Sequence, residues 1–154
     1  MKLIAQGAEA KLYRDNATVI KERLAKAYRH PELDGSLRQF RTRREAKVLQ
    51  RLEEMHFNAP HLKEFSDKRM SITMDFIPGN TLKEVLQQKA EESEYLAKEI
   101  GQRIGQLHKA DIIHSDLTTS NMIKHQETGE VTFIDFGLSF FSEKIEDKAV
   151  DLFL

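Results

Sequence analysis

The stretch from Ile112 to Gly137, IIHSDLTTSNMIKHQETGEVTFIDFG, sets His114, Asp116, Asn121 and Asp135 inside otherwise apolar, strand-like runs. A carboxylate among such runs is costly unless it is paired or meets a cation, so these residues constrain the fold more than any apolar segment does. A turn signal at Gln126–Glu130, including Gly129, divides the stretch in two and predicts a β-hairpin. Centred on Thr128, that hairpin sets residue 121 opposite residue 135, and directly opposed residues hold their Cβ atoms ~5 Å apart. Asn121 and Asp135 then present oxygens to one point, the donor type that Mg²⁺ takes together with water. Asp116 lies in the loop entering the hairpin. Near the ion without ligating it, its carboxylate can accept a hydrogen bond from an attacking hydroxyl or water and orient it. Taken singly, Asp116 reads as a loop Asp bonding its own backbone; the joint spacing points to a site.

The rest of the chain supplies the frame. KLIAQGAEAKLYR reads as strand, glycine-containing turn, strand. ATVIKERL alternates with a period of two, which puts Val19, Lys21 and Arg23 on one face and Ile20 and Glu22 on the other. HPELDG reads as a turn, after which Ser36 is placed to cap a helix running to about Met55. Glu45 shares the apolar face of that helix with Leu49 and Leu52, and Lys21 is the cation placed to pair with it. MSITMDFIPG predicts a strand entering a Pro-Gly bend, NTLKEVLQQK a helix capped by Asn80 or Thr81, and Ser93 to Ala110 a longer helix with Leu96, Ile100, Ile104 and Leu107 in one stripe. Strands dominate the first half and helices the next thirty residues. The expectation is one α+β domain over 1–154, with a sheet lobe (1–74), a hinge (75–79) and a reduced helical lobe (80–154).

Composition narrows the class. The chain has 154 residues, 40% hydrophobic and 32% charged, with net charge −1, which fits a soluble globular domain and supplies no global field toward nucleic acid or membrane. From Lys21 to Arg51, however, ten basic residues stand against four acidic ones. A solvated helix face is the simpler reading; a phosphate- or RNA-facing surface through Arg38, Arg41, Arg43, Arg44 and Arg51 is the alternative. There is no cysteine, which excludes disulfides and thiolate metal sites. No apolar run approaches the ~20 residues of a membrane span, and MKLIAQGAEA lacks a signal-peptide core. A cytoplasmic protein without membrane contact is the expectation, with the nucleus open to a eukaryotic one.

His114, Asp116, Asn121 and Asp135-Phe136-Gly137 stand at the spacing H-x-D-x-x-x-x-N followed by D-F-G, the signature set of protein kinases. The TVIK segment and the helix add Lys21 and Glu45. Phosphoryl transfer needs cations to neutralise phosphate oxygens and groups to hold the nucleophile in line. The resemblance therefore implies a minimal bilobal protein-kinase-like fold binding ATP and Mg²⁺. Lys21 would hold the α/β-phosphates and pair with Glu45, Asn121 and Asp135 would hold the metal, and Asp116 would orient the acceptor. QGAEAKLYR takes the place of the phosphate-covering loop with only Gly7 remaining of its glycines. Template position alone assigns the Asp75 carbonyl and the Ile77 N–H to adenine.

KAYRHPELD, RTRREAKVL, IIHSDLTTSN, IDFGLS and EDKAVDLFL resemble, over nearly the whole chain, the PRPK family of small atypical kinases, the kinase subunit of the KEOPS (EKC) complex. This implies Ser/Thr kinase or ATPase activity. It also implies partnership with the threonylcarbamoyltransferase subunit that makes N6-threonylcarbamoyladenosine in tRNA, and with a small KEOPS accessory subunit. The chain departs from general kinases in lacking the Arg of H-R-D, an A-P-E motif and a long activation loop, and it looks truncated or naturally reduced. Ser115 stands where this family more often has Gly, a change expected to be tolerated. Asp151 matches an Asp that steadies the catalytic loop from a helix that here barely begins. An ATP-binding pseudoenzyme of the same complex and another small, RIO-like kinase are the alternatives.

Overall fold

The computed structural model describes residues 1–153. Three strands open the chain: β1 (Lys2–Gln6), β2 (Ala10–Asp15) and β3 (Thr18–Arg23), followed by helix α1 (Pro31–Glu54), β4 (Leu62–Ser66) and β5 (Ser71–Asp75). These strands form an antiparallel sheet in the order β1-β2-β3-β5-β4. As the alternation in TVIKER predicts, Val19, Lys21 and Arg23 are buried, and the α1 face carrying Glu45, Val48, Leu49 and Leu52 is buried as well.

Helix α1 begins five residues before the expected cap at Ser36, and HPELDG is its first turn rather than a loop. Pro31 sits at the first helical position, where its missing N–H costs nothing. The His30 ring accepts from the Glu32 N–H at 3.3 Å, and Asp34 binds both Arg38 (2.8 Å) and the Lys26 N–H (3.1 Å). These local bonds outweigh Gly35 as a helix breaker.

Residues 76–78 connect β5 to the second half, which contains β6 (Gly79–Thr81), α2 (Leu82–Gln88), α3 (Ser93–Lys109), β7 (Ile112–Ile113), β8 (Met122–His125), β9 (Val131–Phe133), β10 (Phe140–Phe141) and α4 (Ile145–Asp151). Thr81 caps α2 by accepting from the Glu84 N–H, while Asn80 belongs to β6. One apolar core runs through both halves and includes Leu49, Leu52, Ile72, Leu107, Ile112, Phe133 and Phe136.

The β8–β9 hairpin forms, but one residue out of the expected register. Met122 pairs with Phe133, Ile123 with Thr132 and Lys124 with Val131, so Asn121 stands beside Ile134, whose N–H donates to the Asn121 carbonyl at 2.9 Å. The turn closes through His125 and Glu130, with Gly129 in the left-handed region at φ 72°. That closure centres the loop between Glu127 and Thr128, and a one-residue slip changes which side chains oppose each other. Asn121 and Asp135 are therefore not a cross-strand pair.

Candidate active site

Lys21 is carried by β3 at the centre of the sheet, where period-two alternation points it inward. Its ammonium donates to Glu45 Oε2 at 3.0 Å and to Asp135 Oδ1 at 3.1 Å. Glu45 is 2% exposed, and a buried carboxylate of this kind persists only when paired. Burial alone would push Lys21 down, but the Glu45 and Asp135 carboxylates outweigh it and hold the ammonium above its ordinary value. Burial likewise pushes Asp135 up, and the Lys21 ammonium with the Gly137 N–H outweighs it, so the carboxylate lies below its usual range. The Asp135 side chain is 50% exposed and its backbone is left-handed, at φ 58°. That bend, rather than the hairpin register, turns its carboxylate toward Lys21.

Asp116 and Asn121 form a second pair. Asn121 Nδ2 donates to Asp116 Oδ2 at 2.8 Å and to the Asp116 carbonyl at 3.0 Å. Asp116 Oδ1 and Asn121 Oδ1 are left without a protein donor among the described residues. His114, fully buried, accepts from the Asp116 N–H on Nδ1 (3.0 Å) and meets the Ile134 carbonyl through Nε2 (2.9 Å). The proton therefore sits on Nε2, and burial holds the imidazole below its ordinary pKa. Ser115, at φ 74°, occupies a conformation that glycine adopts at least cost.

Below this loop, Asp151 of α4 accepts from the His114 N–H (3.0 Å), the Ser115 N–H (2.8 Å) and His108 Nε2 (2.8 Å). The short helix thus reaches its full tie to the loop within seven residues. Sequence pattern did not single out His108, which has no motif of its own. Nor did it single out Arg23 as a site residue, although its place two positions after Lys21 on the buried face was the available signal. Arg23 Nη2 donates to Glu45 Oε1 and to the Gly137 carbonyl, both at 3.0 Å.

The remaining expected positions stand apart from these clusters. Gly7 lies in the β1–β2 turn, where its N–H donates to the Ala10 carbonyl and a Cβ would meet nothing within 4 Å. Asp75 ends β5 and spends its carboxylate on the His61 N–H (3.1 Å) and Lys63 (3.4 Å). The Ile77 N–H has no internal acceptor among the described residues. Of the five arginines on α1, Arg38, Arg41, Arg43 and Arg51 pair with Asp34, Glu9, Asp67 and Glu54, and Arg44 lies over the Phe40 ring. Four of the five thus have an acidic partner within the chain, and Arg44 has none among the described residues.

The donor chemistry fits Mg²⁺. Asn121 Oδ1 and the half-exposed Asp135 carboxylate are hard oxygen donors, and among the described residues no group of three His, Cys, Asp or Glu forms a metal cage. Mg²⁺ is typically held by one or two protein oxygens together with water and substrate phosphate. Gly137 is constrained by the same cluster: a Cβ there would lie 2.7 Å from Lys21 Nζ and 3.2 Å from Asp135 Oδ1.

Residues 2–151 match the protein kinase domain family. The chain is 47% identical to the KEOPS complex subunit Bud32 of Pyrococcus abyssi, covering all of this chain and 74% of that protein. It is 41% identical to the EKC/KEOPS complex subunit bud32 of Dictyostelium discoideum, covering 99% and 64%. A probable bifunctional tRNA threonylcarbamoyladenosine biosynthesis protein of Methanococcus vannielii is 40% identical over 97% of this chain and 27% of its own length. The chain thus spans between about a quarter and three quarters of these relatives. Among solved structures, the Rio2 kinase–ADP/Mg²⁺–phosphoaspartate complex from Chaetomium thermophilum superimposes with a TM-score of 0.76 at 17% identity, over 99% of this chain and 53% of that one. No helix among the described residues is long and apolar enough to cross a membrane.

Proposed function

The chain belongs to the protein kinase family and, within it, to the Bud32 kinases, and on that premise we propose that it is an ATP- and Mg²⁺-dependent atypical Ser/Thr kinase and ATPase. The observation that carries the reading is the buried Lys21 ammonium held between Glu45 and Asp135, with the Asp116–Asn121 pair presented on the adjoining loop. In this reading Lys21 binds the α/β-phosphates while Glu45 fixes its position, and the turn at Gly7 covers them. The Asp75 carbonyl and the Ile77 N–H meet the adenine edge. Residues 1–74 and 80–154 act as two lobes around a hinge at 75–79.

Asn121 and Asp135 hold Mg²⁺, which when bound neutralises charge on the phosphate oxygens. Asp116 does the orienting. Its Oδ2 is occupied by Asn121, so Oδ1 accepts the hydrogen bond of the incoming hydroxyl or water and aligns it. His114 has both ring nitrogens engaged and therefore braces the loop without taking up the reacting proton.

The activity is assigned to a KEOPS-type complex that supports N6-threonylcarbamoyladenosine in tRNA, a reading supported by relatives named as KEOPS subunits and as a tRNA threonylcarbamoyladenosine biosynthesis protein. The partners are a threonylcarbamoyltransferase subunit and a small accessory subunit, with tRNA reached through the complex and a cytoplasmic setting. The test is Mg²⁺-dependent ATP turnover with and without the transferase partner. Asp116→Ala and Asp135→Ala are each expected to lower turnover by about 10² or more; unchanged turnover in both overturns the reading. Nucleotide binding with no turnover, even with the partner added, makes the chain a nucleotide-sensing module instead.

A further inference from the structure

Arg23 has no place in the phosphoryl-transfer roles just described, yet it is 5% exposed and lies inside the ion cluster. Its Nη2 spans two elements by donating to Glu45 Oε1 of α1 and to the Gly137 carbonyl. Its Nε is buried with no partner, and an unsatisfied buried donor costs free energy that an apolar side chain would not. A native group left in that state needs a reason.

The segment Asp135–Ser139 suggests the reason. Its internal bonds run from the Gly137 N–H to Asp135 Oδ1 (3.3 Å) and from Ser139 N (3.1 Å) and Oγ (2.5 Å) to the Phe136 carbonyl. Two side chains from β3 reach into it: Lys21, through Asp135, and Arg23, through the Gly137 carbonyl. In the reading above, Lys21 engages phosphate when nucleotide binds. Arg23 is then the tie that keeps this segment on α1, and it keeps one Glu45 oxygen paired whichever way Lys21 turns. The residue before Asp116 is Ser115, not an arginine, so no guanidinium on the loop is placed to receive an activating phosphate.

We propose that Arg23 is a positioning residue that clamps the Asp135–Gly137 turn to helix α1 in its nucleotide-ready arrangement, an internal guanidinium doing what a phosphate-bound loop does elsewhere. The proposal rests on the phosphoryl-transfer reading for its purpose, but the clamp itself is measurable without nucleotide. Both bonds leave the single nitrogen Nη2, whose two N–H directions are fixed by the guanidinium plane, whereas a lysine ammonium is a compact, freely rotating point charge.

The experiment is amide hydrogen exchange on the full nucleotide-free chain, comparing wild type with Arg23→Lys and Arg23→Gln, with Arg43→Gln as a surface control. Exchange at residues 137–139 is expected to rise about tenfold in the Arg23 variants, while β3 and β5 stay within about twofold. Unchanged exchange at 137–139, or a rise shared equally by the whole sheet, overturns the clamp. ATP turnover is measured alongside, with kcat expected to fall about tenfold and KM for ATP to stay within about threefold. A fall in KM-governed binding alone counts against the proposal. A wild type without turnover defeats the functional reading and leaves the exchange result to decide Arg23. Should neither variant fold, nitrogen-detected NMR of the unaltered protein decides: hindered rotation and slow exchange of the Arg23 guanidinium protons support the clamp, and fast averaging refutes it.

Discussion

His114 shows how one buried side chain sets a pH limit. Its folded-state pKa is lowered by burial, with the Ile134 carbonyl and the Asp151, Asp135 and Asp116 carboxylates opposing that shift without cancelling it. Below about pH 6.5 the unfolded chain takes up a proton on this residue that the folded chain refuses, so stability falls as pH drops from there toward the folded pKa. The depressed pKa of Asp135 works in a lower window: its stabilisation is present above the ordinary carboxylate range and is lost as pH falls through the folded value. Lys21, raised, contributes fully at neutral pH and loses its share only in strong alkali. Thermal unfolding of wild type and His114→Gln between pH 7.5 and 5 checks the assignment. The wild-type midpoint is expected to drop more steeply than the variant's, and parallel curves would count against it.

At the scale of elements, the outcome turned on backbone chemistry that side-chain patterning does not report. The apolar stripe located α1, but its first turn lies outside the stripe and is held by Pro31, the His30 ring and the Asp34 bonds. A residue count alone could not decide the hairpin register, because Gly129 at φ 72° closes the loop asymmetrically. Gly79 makes the same point where β6 meets β8. It sits at φ 143°, and a Cβ there would fall on the Lys124 carbonyl and crowd the Ile123 side chain. Gly79→Ala combines that collision with a strained backbone, and is expected to destabilise by about 3 kcal/mol or more. Urea unfolding measures it; a loss under about 1 kcal/mol would mean that the β6–β8 pairing is dispensable.

Across the whole molecule, the site is a meeting of distant segments. Lys21, Glu45 and Asp135 come from β3, α1 and the end of the hairpin, and Asp151 reaches back from α4 to the loop bearing Asp116. Asp151→Asn keeps the shape but replaces one acceptor with a donor facing His108 and the N–H groups of His114 and Ser115. The expected cost is about 2 kcal/mol or more, with ATP turnover falling further than the stability loss alone accounts for. Denaturant unfolding and turnover on the same preparation test both parts, and unchanged turnover would show that α4 does not position the loop.

Spacing along the chain was enough to determine which residues stand on which local face. Period-two alternation placed Lys21 inward, helical periodicity placed Glu45 on the buried face, and the H-x-D-x-x-x-x-N and D-F-G spacings named the loop residues, because these are local regularities of strands, helices and turns. Which charges touch was decided only by tertiary packing. Asp135 faces Lys21 through a left-handed backbone bend, Asn121 turns to Asp116, Arg23 forks between Glu45 and Gly137, and His108 finds Asp151. Ion pairing inside a low-dielectric core is selected over the whole fold, since each buried charge must find its partner among residues brought near by packing rather than by sequence.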